Sequence, residues 1–343
     1  MSNVEIKGIA TAFPEELGKW VSNEDIYNLK YGADWKTKLL DIGIDKNYIE
    51  DKWGFSKRFW VHTPGHVLTE NEATSVDMMY HAIKNALHDA ELLPEDIDLL
   101  ISVTTTSPRY TSSTATYVGG QLGMKCASFE MKTGCASNLY AMTLGFLSLQ
   151  SGLKNVLIVS AETFSKIADF NTNQVFAGGD AAAAVVLSRV EKNGSKLLLS
   201  YLDSDGHYAS MYGVQGALPP TEKAIKNNEY LMLMAPKATA YMNQIWEWLP
   251  DKLYRHANIK PEDVDCFIPH QSTKKTVLLA TEKANIPTEK VVNVVSEYAN
   301  CGAVSSLLAL HKAIKSETIK KDDLLMMSVV GGGISWGGLL IRV

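Results

Sequence analysis

An α/β protein made of two similar halves is what this 343-residue chain predicts, and three observations carry that expectation. Helical patterns alternate with short β-branched runs, the rhythm restarts after a turn-like break at 190–196, and two segments 167 residues apart share one local frame. Alternation of this kind implies a largely parallel sheet buried between helices.

The first half spans 1–190. Its stretch DMMYHAIKNALHDAELL (77–93) has the periodicity of a helix, DIDLLISVTTT (96–106) reads as a strand, 135–152 as a helix, and NVLIVSAET (155–163) as a strand. The segment VEKNGSK is the turn that ends it. The second half, 191–343, follows with a helix around 236–257, a strand in VDCFIPH (264–270), a helix near 303–316 and a last strand, DLLMMSVVGGG (323–333), that closes in glycines. PEDIDLLISVTTT from Pro94 and PEDVDCFIPHQST from Pro261 share P-E-D, an aliphatic residue and D, while Cys135 and Cys301 stand 166 residues apart ahead of apolar helices. A duplication of that period is too long for a solenoid.

Apolar residues make up 46% of the chain, charged residues 21%, and the net charge is −5, with no basic arm or stripe. Nucleic acid is therefore not an expected partner. Neither a secretory leader pattern nor an apolar run of roughly 18 residues occurs, so a cytoplasmic protein without a membrane span is expected. Cys126, Cys135, Cys266 and Cys301 form no CxxC pair and no cluster with histidine. They are expected as free thiols, with no metal site.

Four positions carry the candidate chemistry. Cys135 in EMKTGCASNLY lies at a strand-to-helix turn, where unpaired N–H groups favour a thiolate; the alternative is an inert buried thiol. His270 ends its strand, the edge where α/β folds present reactive groups; it is equally readable as a structural histidine. Asn300 is either a helix N-cap or an amide donor to an enolate oxygen. Gly331, Gly332 and Gly333 let backbone N–H groups approach a ligand or simply make a tight turn. Cysteine, histidine and asparagine at equivalent strand ends suit acyl transfer through a thioester.

The chain resembles the β-ketoacyl-acyl-carrier-protein synthase III condensing enzymes of the thiolase-fold superfamily. The resemblance rests on TGCAS (133–137), GGDAAAAVVL (178–187), DSDG (203–206), IPHQ (268–271), NCGAVS (300–305) and GGGISWGGLLIRV (331–343), which occur in that order. It implies a thiolase-like fold, a layered αβαβα sandwich, with the nucleophile in the first half and histidine and asparagine in the second. It implies Cys135 as the acylated nucleophile, His270 and Asn300 as the pair that promotes decarboxylation, and an oxyanion hole from the Cys135 amide with Gly332 or Gly333. It also implies acyl-CoA or phosphopantetheine-borne acyl substrates, no further cofactor, an acyl-carrier-protein partner and a homodimer.

Departures from the housekeeping pattern bear on substrate. Thr111 and Ser112 fall where the family has a Phe-Pro that the partner subunit contributes to the acyl tunnel. Tyr48 and Lys52 fall where it has the adenine-stacking tryptophan and its arginine, and lysine cannot reproduce a guanidinium stack. Lys274 is a candidate for the phosphopantetheine entrance or an ordinary solvated residue. A specialised condensing enzyme of lipid or polyketide biosynthesis is expected. The alternatives are an acyltransferase without decarboxylation, the initiator of fatty acid synthesis, a hydroxymethylglutaryl-CoA synthase with Glu130 or Glu162 as base, and a non-catalytic partner subunit.

Overall fold

The frame shared by the two halves folds the same way in both. In the computed structural model, which describes residues 3–216 and 219–343, Pro94–Asp96 and Pro261–Asp263 each form a 3-10 turn. The N–H groups of Leu93 and Lys260 donate to Asp96 and Asp263, both at 2.8 Å. The next aspartate pins a neighbouring strand. Asp98 accepts from the N–H groups of Lys154 and Asn155 at 2.7 and 3.0 Å, and Asp265 accepts from the Leu324 N–H at 2.9 Å.

The strands of the two main sheets are β1 (Asn3–Ala12), β2 (Leu99–Val103), β3 (Ala127–Met131), β4 (Asn155–Glu162), β5 (Ala181–Val190), β6 (Lys196–Ser204), β7 (Cys266–Pro269), β8 (Leu324–Gly331) and β9 (Ser335–Arg342). The first sheet has the order β1-β5-β4-β2-β3 and the second β7-β8-β9-β6. Neither is largely parallel, which corrects the expectation. Parallel pairing is confined to β4–β2, β2–β3 and β7–β8, and the other main-sheet pairings are antiparallel. The reason is loop length: β8 passes to β9 through a turn at 332–334, too short for the crossover that a parallel pair needs.

Alternate residues of each strand feed different cores. Ile101 and Ile158 of the first sheet, with Met327 and Leu339 of the second, pack on the helices α2 (Ser137–Gln150) and α5 (Val304–Lys315) between the sheets. Leu100 and Leu157 face α1 (Ser75–Ala90) on the outer side of the first sheet. Met326 and Leu340 face α3 (Leu249–Ala257) and α4 (Lys274–Ala284) beyond the second. The result is the five-layered αβαβα sandwich. Asn138 at the head of α2 donates to the Ala303 carbonyl at 2.6 Å, tying the two central helices together.

Those helix starts correct one detail of the repeat. Ser137 Oγ accepts from the Thr133 N–H, and Ser305 Oγ from the Cys301 N–H, so Cys301 is the counterpart of Thr133 and not of Cys135. Cys301 is wholly buried, with its thiol directed at the Tyr298 carbonyl. Among the described residues, no helix is long and apolar enough to cross a membrane.

Candidate active site

Cys135 lies between the end of β3 and the first residue of α2. Ser137 closes this turn by accepting from the Thr133 N–H and donating to the Gly134 carbonyl, both at 2.7 Å. Gly134 has φ +62°, and a Cβ there would stand 2.2 Å from the Gly332 carbonyl oxygen, so no side chain fits. A Cβ on Gly331 would meet the Cys135 nitrogen at 2.6 Å. The turn that carries Cys135 and the β8–β9 turn are therefore interlocked backbone to backbone. This contact brings the N–H groups of Gly332 and of Cys135 itself to the Cys135 thiol. The three glycines divide the work: Gly331 makes the close approach, Gly332 supplies the donor, and Gly333 is exposed and lines the cavity.

Asn300 is held by the other half of the chain. Its N–H donates to the Ala177 carbonyl and its carbonyl accepts from the Gly179 N–H, at 3.4 and 3.0 Å. Its Oδ1 accepts from the Gly302 N–H at 2.9 Å. A backbone N–H can only donate, so this bond fixes the amide orientation. The oxygen therefore caps the turn ahead of α5, whose own N-cap is Ala303, and no described residue accepts from the Nδ2 donors.

Cys135, Asn300, Gly332 and Gly333 line one cavity of about 1040 Å³. Glu130 and Glu162 line it too. Glu162 accepts from Thr105 N–H, Thr105 Oγ1 and Thr106 Oγ1 at 2.9–3.1 Å, and burial lifts its carboxyl to about 7. Glu130 accepts from the Thr114 N–H at 2.9 Å and from its hydroxyl. Burial, with the Glu162 charge, pushes the Cys135 thiol up to about 12, against the pull of the two N–H groups. Desolvation of the anion thus opposes the thiolate that the helix N-terminus and the two N–H groups favour.

His270 is buried at the end of β7 and is not among the residues lining this cavity. Loss of solvent draws its imidazole down to about 4, so it is neutral near pH 7. Its neighbour Gln271, which the sequence reading passed over, is a bracket between segments. It donates to the carbonyls of Pro269 and Val292 and accepts from the Val294 N–H, each at 2.9 Å. This fixes the end of β7 to the segment that leads to Asn300. In HQST, Thr273 caps α4 by accepting from the Thr276 N–H.

The candidate substrate residues stand elsewhere. Tyr48 and Lys52 lie on the helix Tyr48–Trp53, where the Lys52 ammonium donates to the Tyr48 hydroxyl at 2.6 Å. Lys274 packs its Cβ against Gly54 at the end of that helix. The three are grouped on one surface and do not line the cavity, because the buried residue of this helix is Ile49, which faces an outlying core with Phe55 and Val277. Thr111 and Ser112 are exposed. The cavity reaches Arg109 and Tyr110 and stops short of both.

Two family models match the chain: 3-Oxoacyl-[acyl-carrier-protein (ACP)] synthase III over residues 129–206 and its C-terminal counterpart over 254–343. The β-ketoacyl-acyl-carrier-protein synthase III of Neisseria gonorrhoeae is 34% identical over 283 residues, 81% of this chain and 86% of that protein. The chain belongs to the 3-oxoacyl-acyl-carrier-protein synthase III family. The relative from Caldanaerobacter subterraneus is 32% identical over 89% of this chain and 91% of its own. Among solved structures, the synthase III of Aquifex aeolicus has a TM-score of 0.81 at 28% identity, with both chains fully covered. An OleA variant from Xanthomonas campestris, at 20% identity and TM-score 0.79 over 99% of this chain and 98% of its own, shares the fold. The thiolase-like fold and the class, a carbon–carbon bond-forming acyltransferase, follow from membership in this synthase III family.

The thiol state of this synthase III relative is testable. With the Cys135 thiol pushed up to about 12, alkylation of Cys135 by iodoacetamide should climb about tenfold per pH unit from pH 7 to 9. Peptide mapping by mass spectrometry reads the rate, and a plateau below pH 8 would show a thiolate already present.

Proposed function

We propose that this chain is a decarboxylative condensing enzyme of specialised lipid or polyketide biosynthesis, with Cys135, His270 and Asn300 as catalytic residues. The carrying observation is that Cys135, with its own N–H and that of Gly332 beside its thiol, shares one cavity wall with Asn300.

In the first step Cys135 sulfur attacks the carbonyl of an acyl thioester carried by CoA or by the phosphopantetheine of an acyl-carrier protein. The new carbon–sulfur bond replaces the one to the carrier thiol, which leaves with the proton from Cys135. The tetrahedral oxyanion lies between the two N–H groups, which need no reorganisation. In the second step a malonyl- or β-ketoacyl-type extender enters; the malonyl form loses carbon dioxide and leaves an enolate. Asn300 Nδ2 donates to the enolate oxygen, a task in which charge is unnecessary; the family resemblance adds the neutral imidazole of His270 as a second donor, which an extender reaches only beyond the lining that Cys135 and Asn300 share. The enolate carbon then attacks the acyl-cysteine, and the Cys135 thiolate departs to leave a β-ketoacyl thioester.

The assignment to specialised rather than initiating chemistry is supported by Thr111 and Ser112 at the tunnel position and by Tyr48 and Lys52 standing away from the cavity. The initiating reading rests on the likeness to the β-ketoacyl-acyl-carrier-protein synthases III of Neisseria gonorrhoeae and Caldanaerobacter subterraneus. We also propose a homodimer, in which the free edge strand β3 and the exposed Tyr110–Ser112 segment meet a second copy.

Intact-protein mass spectrometry after incubation with acyl thioesters should show one acyl adduct that vanishes in Cys135→Ala. Asn300→Ala should keep the adduct while release of labelled carbon dioxide from malonyl thioester falls by about 10²–10³-fold. An adduct that persists without Cys135, or undiminished release without Asn300, contradicts the assignment. Light scattering at working concentration should report twice the 37.7 kDa chain mass; a fully active monomer would refute the dimer.

A further inference from the structure

Between β6 and α3 the chain makes an excursion that forms one wall of the cavity. Its residues Val214, Ile225, Met232 and Met234 give that wall an apolar surface. Tyr212 is the exception nearest to Cys135. It opens the short strand Tyr212–Val214, which pairs with Met232–Met234, and its ring packs on Gly332. A Cβ built on Gly332 would stand 2.3 and 2.6 Å from ring atoms Cδ1 and Cε1, so the glycine is what admits the ring. Beside the thiol and deep in the cavity wall, the phenol is pushed well above its ordinary range by desolvation and by Cys135. It is therefore a proton donor and never a phenolate near neutral pH. No described residue hydrogen-bonds its hydroxyl, although Tyr241, Tyr254 and Tyr140 all have such partners.

A hydroxyl that faces the cavity without a protein partner loses its water when a substrate fills the site, and a substrate that supplies an oxygen there is favoured over one that does not. The Gly332 N–H marks the place of the thioester oxygen. The hydroxyl of a ring packed on that glycine lies no more than a ring's length from the carbonyl, within reach of the next carbons of the acyl chain. Beyond it the wall is apolar. We propose that Tyr212 is a specificity-determining residue that donates a hydrogen bond to an oxygen substituent on the second or third carbon of the acyl group loaded on Cys135. The cavity then selects hydroxy- or oxo-acyl thioesters with apolar tails over plain alkyl ones.

This selection rests on the reading of Cys135 as the acylated residue, and the test separates the two. The full-length protein and Tyr212→Phe, which keeps the ring, are each offered octanoyl, 2-hydroxyoctanoyl, 3-hydroxyoctanoyl and 3-oxooctanoyl thioesters of CoA in pairwise competition. Adducts on Cys135 are counted by peptide mass spectrometry. The wild type should load an oxygenated chain about tenfold faster than octanoyl, and in Tyr212→Phe that ratio should fall to near one. Loading without discrimination, or discrimination that survives in Tyr212→Phe, overturns the role of Tyr212 alone. No adduct on Cys135 with any of the four thioesters overturns the acylation reading and this proposal with it.

Discussion

The site depends on one contact between two backbones. Gly134 meets the Gly332 carbonyl at a distance that leaves no room for a Cβ, and Gly331 meets the Cys135 nitrogen in the same way. Each turn belongs to a different half of the chain, and neither alone makes a site. Their interlocking puts the Gly332 N–H at the Cys135 thiol and opens a space for the Tyr212 ring. Any side chain at 134 would push the turns apart and separate thiol from donor, a loss felt at the chemistry before it is felt in the core. The same logic of shared custody holds Asn300, whose backbone is bonded to Ala177 and Gly179 across the halves.

Burial sets the electrostatics of that space. It disfavours the thiolate of Cys135, the carboxylate of Glu162 and the imidazolium of His270 alike. Beside the Cys135 thiol the catalytic potential therefore lies in oriented N–H and amide dipoles more than in a charged partner. Such donors act without a reorganisation cost when charge develops on a reacting oxygen. Glu162 was available to the sequence reading as a general base by type alone. In the structure its oxygens are occupied by the Thr105 and Thr106 donors, which suits a role in bracing the end of β4 beside the thiol.

The sequence was most legible where a local pattern has one physical meaning. The P-E-D frame wrote the same 3-10 turn and the same aspartate anchor into both halves, and a strand-to-helix turn placed Cys135 on the cavity, whereas Asn300 follows the short helix Val295–Tyr298 and reaches the same cavity through its bridge to Gly178. It was least legible where the outcome depended on distant packing. The match of Cys135 to Cys301 set a nucleophile candidate against a core thiol, whereas the serine caps show the true register. The antiparallel pairing of β8 with β9 followed from a short connection that periodicity does not report. Tyr212 left no signal at all, because it lies in an irregular excursion and acquires its place only through contact with Gly332. Gln271 sat inside a motif that had already been quoted, yet its three backbone bonds are invisible without the fold.

The central claim is that the Cys135 and Gly332 N–H groups form the donor pair for an acyl group on Cys135. A crystal structure of the protein trapped with a stable acyl group on that sulfur tests it most directly. The account predicts a carbonyl oxygen within about 2.7–3.1 Å of both nitrogens. A carbonyl oxygen that points away from Gly332, or an acyl group found on another cysteine, would contradict it.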